Sequence, residues 1–204
     1  MGGAGWRSLR AAGSAGDCVT ALLVSARAWV AEVHPHARHL LRTEDWLVEL
    51  DPGADETLRL AAVLHDIERA FPDPQERWDS ARDWDSPEYL RWHQDRCAEI
   101  AARWLREQGA PEELVARVDA LVRVHEEGGW READLLQAAD SLSFLETMVW
   151  LVVGWVESGR ASRERAEGKL HNAVLRMSPD LTRALELAQP LCEAGLRQLD
   201  QVRA

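Results

Sequence analysis

Six residues combine side-chain types that hold a metal ion with positions at helix ends or on helix faces: His36, His65, Asp66, His93, His125 and Asp140. Neutral imidazoles and carboxylates suit a divalent transition metal such as Zn²⁺, Fe²⁺ or Mn²⁺. The adjacent pair His65-Asp66 falls at the end of a helical pattern carried by Leu58, Leu60, Ala61 and Leu64, so both side chains can enter one cleft between helices. Helical bundles build metal sites in this way, from side chains on facing helices. Such an ion acidifies a water and draws charge from a phosphoryl group under attack, which makes phosphoester hydrolysis the natural reaction. Arg69, three residues beyond Asp66, could reach across the same helix end toward a phosphate, so Asp66 and Arg69 are the expected catalytic pair.

The elements that must position these residues are all helical. Val19, Leu22, Leu23, Ala26, Val30 and Val33 recur at helical spacing and stop at Pro35. A second helix is expected from about His36 to Leu50, closed by Asp51-Pro52-Gly53, and a third from about Glu56 into His65-Asp66. Phe71 to Ser86, with its prolines and acids, reads as a long loop of the kind that often covers a site. Ser86-Pro87-Glu88 opens a helix that runs to about Gln108, and Pro111-Glu112-Glu113 opens another that stops near Gly128-Gly129. Further helices are expected near Glu132 to Glu157, Arg163 to Met177 and Leu181 to Val202. No stretch alternates with period two for long enough to make a sheet, so the fold class is all-α, a single-domain helical bundle.

In this order the motifs resemble those of the HD-domain superfamily, whose pattern is a His, a later His-Asp and a distant Asp. His36-Ala37-Arg38-His39-Leu40 resembles the opening helix, Leu60 to Ile67 the helix that carries His-Asp, and Ala138-Ala139-Asp140 the segment with the last Asp. The stretches around His93 and His125 resemble those bearing the two further histidines of binuclear branches. The resemblance covers about residues 34 to 145 and implies one metal held by His36, His65, Asp66 and Asp140. It also implies room for a second, on His93 and His125 with Asp66 bridging. His34 and His39 compete with His36 for the first position, His39 because it shares a face with His36. Arg69 resembles the basic residue of binuclear branches, while the acid that assists some mononuclear centres is displaced to Glu68.

The expected activity is therefore metal-dependent hydrolysis of a nucleotide-like or other small phosphate ester, with one or two ions of Mn, Fe, Zn or similar. A diiron oxygenase and a non-catalytic metal- or ligand-binding regulatory domain stay open as alternatives. Residues 1-16 read as a flexible leader, 17-145 as the metal-binding core of HD type, and 146-204 as helices packed on the same domain, closing the pocket or forming a homodimer.

Charge and composition narrow the partners. With 24 basic and 35 acidic residues the net charge is −11, which disfavours nucleic acid and anionic membranes. Lys169 is the only lysine, so an anionic substrate must be met by a metal or by a few arginines. Cys18, Cys97 and Cys192 lie too far apart for a metal knuckle and fit buried thiols of a cytoplasmic protein. The longest apolar run, Met148 to Val156, is too short to cross a membrane. Arg91, Arg96 and Arg123 could bind phosphate or pair with acids. Most of the ten tryptophans are expected to pack helices, though Trp84 and Trp92 flank His93 and could line a pocket. His171 is expected at the surface, and Glu126 and Glu127 as helix-end solvation.

Overall fold

The computed structural model describes residues 15–73 and 77–202. Among them there is no strand, and the chain is an all-α bundle. Most of the expected leader, through residue 14, lies outside the described residues, as do the side chains through residue 19, including that of Cys18.

The helices are α1 (Ala15–Val33), α2 (Ala37–Leu50), α3 (Glu56–Leu64), α4 (Ser80–Asp83), α5 (Pro87–Glu107), α6 (Glu112–Val122), α7 (Arg131–Thr147), α8 (Val149–Glu157), α9 (Arg163–Leu175) and α10 (Thr182–Asp200). Their starts follow ordinary capping chemistry. Asp55 accepts a hydrogen bond from the Leu58 N–H, Ser86 from Tyr89 with Pro87 in the first turn, and Ser162 from Arg165. A single 3-10 turn, Ile67–Ala70, follows α3 after His65 and Asp66.

Helix α7 is the axis of the molecule. It is buried nearly all round, from Ala133 and Leu136 through Ala139, Leu142 and Leu145, as a helix must be when it packs on every side. One side meets α2, α3 and α6, with α1 across α2 and α3 and α5 against α6; the other meets α8, α9 and α10. One contiguous core runs through both groups. Asp140, in the middle of α7, therefore stands near the centre of the molecule.

Two elements differ from the sequence reading. The expected loop before Ser86 contains the one-turn α4, which Asp79 caps by accepting from the Ala81 N–H. The helix expected from Glu132 to Glu157 is two helices bent by 56°. The break has a polar cause. Thr147 Oγ1 donates back to the Ser143 carbonyl at 2.7 Å, and the Trp150 indole donates to the Thr147 carbonyl at 3.0 Å, so side chains compete with the helical ladder there.

Trp29 stacks on Trp104 with ring centroids 4.9 Å apart, the packing role expected of most tryptophans, whereas Trp130 and Trp150 are exposed. Cys97 and Cys192 are buried free thiols. Among the described residues no single helix is long and apolar enough to cross a membrane; α7 and α8 would reach that length only as a bent pair.

Candidate metal centre

The site begins where α3 ends. His65 closes the helix in α conformation and reaches Asp140 of α7, and Asp66 turns out of it with φ −112° and ψ 18° and reaches His93 of α5. His34, just past α1, fixes this corner. Its Nδ1 accepts the His36 backbone N–H at 3.0 Å, so its Nε2 carries the proton and donates to the Asp66 carbonyl at 3.1 Å.

His39, on α2, faces α7 directly. Its Nε2 lies 3.1 Å from Asp140 Oδ1, and the Nε2 of His65 lies 3.2 Å from the same oxygen. His36, the first ligand that the resemblance implies, is instead the residue before the first turn of α2. Its side chain leaves at the edge of the cavity, with its ring 5.7 Å from Trp150. One turn further along, His39 has the face that His36 lacks.

His93 from α5 and His125, past the end of α6, complete the constellation. The rings of His65 and His125 are 5.2 Å apart, as are those of His93 and His125, and His93 Nε2 is 3.2 Å from Asp66 Oδ1. The segment bearing His125 is pinned from both sides. Gln94 accepts the Glu126 N–H at 3.0 Å, and Gln137 donates to the Glu126 carbonyl at 2.7 Å.

Each of four imidazoles spends its Nδ1 on an acceptor. His65 Nδ1 lies 2.8 Å from the Ala62 carbonyl and His125 Nδ1 2.7 Å from the Val122 carbonyl. His93 Nδ1 lies 2.9 Å from Glu68 Oε1. His39 Nδ1 lies 3.0 Å from Ser143 Oγ, whose single proton goes to the His39 carbonyl at 2.7 Å. Carbonyls, a carboxylate and a committed hydroxyl can only accept, so all four rings carry hydrogen on Nδ1 and turn the Nε2 lone pair inward.

This arrangement fits a cation. With Nδ1 protonated, the Nε2 lone pairs of His39 and His65 confront an Asp140 oxygen, an opposition that only a proton or a metal ion relieves. His65 Nε2 is buried and has no hydrogen-bond partner. Burial disfavours charge on His65, yet the Asp140 carboxylate overrides it and raises the pKa. Burial likewise pushes Asp140 and Asp66 up, but Arg176 and His65 hold Asp140 low, and Arg69 with His93 holds Asp66 low, so both are carboxylates. His125 is pushed down to about 4 by burial and is neutral.

Two groups, His39–His65–Asp140 and His93–His125–Glu126, each bring ligand atoms within 4.8 Å of one another and could hold a metal. Asp66, His93 and Cys97 also bring ligand atoms within 4.8 Å of one another, but the Cys97 sulfur approaches His93 at Nδ1, 3.8 Å away, on the nitrogen that already donates to Glu68. Burial also raises the Cys97 thiol, so it is neutral and faces the back of the ring.

The carboxylates are held by arginines. Arg176, which caps the C-terminal end of α9, pairs with Asp140 Oδ2 and with Glu126, leaving Asp140 Oδ1 to the histidines, and donates to Ser141 Oγ at 2.8 Å. Arg69 lies 3.0 Å from Glu68 and 3.5 Å from Asp66 and also bonds the Tyr89 hydroxyl. Arg123 is committed to Asp95 and Asp119, and Arg96 to the Phe71 carbonyl; neither lines the cavity. Arg91 and Trp92 line a separate shallow depression, while Trp84 is in the wall of the main cavity. Glu126, read as helix-end solvation, is instead an inward acid, and His171 is exposed as expected.

The cavity over the histidines has a volume of about 170 Å³ and is roofed by Met148, Leu151 and Trp155 of α7–α8, by Lys169 of α9 and by Arg176 at its end. A family model described as "Domain of unknown function (DUF4202)" matches residues 25–193. The chain belongs to that family. No curated protein and no solved structure matches it. The DUF4202 match spans both the histidine corner and α9, so the cavity floor and its roof lie within one family unit.

Proposed function

We propose that this protein is a metal-dependent phosphohydrolase of the HD-domain type that acts on a small phosphate ester. The observation behind this reading is the set of four Nδ1-anchored imidazoles whose Nε2 lone pairs meet two carboxylates in one cleft. His39, His65, Asp66 and Asp140 would hold one divalent ion, with His93, His125 and Glu126 in reach of a second. When bound, such an ion supplies a more acidic water and withdraws charge from a phosphoryl group.

The chain's own residues prepare that chemistry. Ser143, Glu68 and the two backbone carbonyls fix ring orientation, as partners behind metal-binding histidines do. Arg69 holds Asp66 and Glu68 in place at the cavity wall. Trp84, Phe144, Met148, Leu151 and Trp155 present apolar surface that keeps bulk water from the acids and strengthens every charge interaction inside.

The test is elemental analysis of protein purified without chelators, with a phosphate-release assay of the same sample on a panel of phosphate esters, with and without Mn²⁺. Bound transition metal with release is the expected result. Iron without phosphate release would move the assignment to an oxygenase, and failure to bind any metal would overturn it.

A further inference from the structure

Four cationic side chains line the cavity: Arg69, Arg160, Lys169 and Arg176. Three are already committed. Arg69 bonds Glu68 and Tyr89, Arg160 bonds Asp79 at 2.7 Å, and Arg176 bonds Asp140, Glu126 and Ser141. Lys169 differs. Its ammonium lies 5.5 Å from the Trp84 ring and 5.1 Å from the Phe144 ring, and among the described residues it has no hydrogen bond and no carboxylate within 4 Å. Burial lowers its pKa, while Glu126, Asp140 and the two ring faces favour the charged form without using its N–H donors. Holding a half-buried ammonium between two rings, beside the one centre that would collect anionic oxygens, leaves three donors for something that enters from solvent.

We propose that Lys169 is the anion-binding residue of this cavity, receiving the phosphoryl oxygens of a small phosphate ester between Trp84 and Phe144. An ammonium is a compact point charge that suits a tetrahedral anion, whereas a flat carboxylate is gripped best by a guanidinium fork. The cavity, about 170 Å³, is smaller than the roughly 300–1,000 Å³ of pockets that engulf drug-sized ligands, so it seats a phosphoryl head and little more. The ligand class is thus a compact phosphomonoester, or a larger one whose remaining atoms stay outside. Helix α9 becomes the specificity element, with Arg176 orienting Asp140 and Lys169, two turns earlier, receiving the substrate. The assignment of the anion as substrate rests on the phosphohydrolase reading; the binding site itself does not.

Because Lys169 is the only lysine, an amine-reactive reagent reads it as one peptide, with the N-terminal amine as internal control. The experiment labels the full chain with acetic anhydride in inorganic phosphate, in sodium acetate and in sodium chloride at equal ionic strength, and follows both amines by peptide mass spectrometry. At four times its dissociation constant, phosphate should slow Lys169 labelling about fivefold relative to chloride and leave the N-terminus unchanged. Lys169→Met should raise KM for a phosphomonoester roughly ten- to a hundredfold without changing metal content, and Lys169→Arg should recover part of the loss. Equal labelling in phosphate and chloride, or protection by acetate and not by phosphate, overturns the assignment even where phosphate release is found. Protection by phosphate with no release from any ester keeps Lys169 as an anion site and removes the hydrolase reading instead.

Discussion

A metal-binding imidazole is only as well placed as the group behind it, and here the four groups are not equal. Ala62 and Val122 offer main-chain carbonyls, Ser143 a hydroxyl, and Glu68 a charge. The Glu68 carboxylate raises the donor strength of His93 and answers Arg69, so Glu68→Gln keeps an acceptor but loses both effects. Metal affinity should fall about tenfold or more, measured by competition with a chromophoric chelator; unchanged affinity would mean that His93 holds no metal. Tyr89, the only tyrosine, reports the same wall. Burial raises its phenol above the ordinary value of 10, and Arg69 does not reverse this. A raised acid keeps its proton in the fold after the unfolded chain has lost it, so its contribution is complete below pH 10 and is lost as pH rises beyond. Absorbance at alkaline pH should show phenolate appearing only with unfolding; a reversible titration near pH 10 would show that the wall is open to water.

At the scale of elements, the turn after His125 carries strict backbone demands. Gly128 and Gly129 have φ of 72° and 122°, and a Cβ on Gly128 would run into Asp134 Oδ1, the oxygen that accepts the Gly129 N–H at 2.8 Å. Gly128→Ala should therefore cost about 1–2 kcal/mol, lowering the melting temperature by roughly 2–8 °C. Gly129→Ala meets no clash but a φ further outside the left-handed well, so it should cost a comparable amount; melts unchanged by either substitution would contradict this account. The glycine pair was legible in the sequence as a stop, and so were Pro35, Asp51-Pro52-Gly53 and Ser86-Pro87, because backbone chemistry announces itself locally. The break between α7 and α8 was not, since it depends on Thr147 and Trp150 side chains taking carbonyls in a stretch without Gly or Pro. His65, Asp66, His93, His125 and Asp140 stood out by type and order, and the structure brings them together. That His39 rather than His36 faces Asp140 needed the exact start of α2. Glu68, Glu126 and Arg176 became visible only when tertiary packing set them against His93 and Asp140.

For the whole molecule, protons and metal should compete for the same nitrogens, and that competition can be read as stability. His125 is held at about 4 against an ordinary 6.5, so between these values the unfolded chain binds a proton that the fold refuses. The contribution of His125 is therefore complete above pH 6.5 and falls as pH drops toward 4, by on the order of 3 kcal/mol, whereas that of His65, whose pKa Asp140 raises, is complete below pH 6.5 and is lost as pH rises. A metal at a hundred times its dissociation constant would add about 2.7 kcal/mol at neutral pH, or roughly 5–11 °C in melting temperature. Ligand nitrogens must be unprotonated to bind, so the gain should shrink as the solution is acidified. Thermal melts of chelator-treated and Mn²⁺-loaded protein should thus be well separated at pH 7.5 and converge near pH 4. Curves that stay apart at pH 4 would place the ion on carboxylates alone, away from the four imidazoles, and a His125→Gln variant whose metal-free melt falls between pH 6.5 and 4 as steeply as that of the parent protein would mean that His125 is not the neutral, enclosed ring its surroundings require.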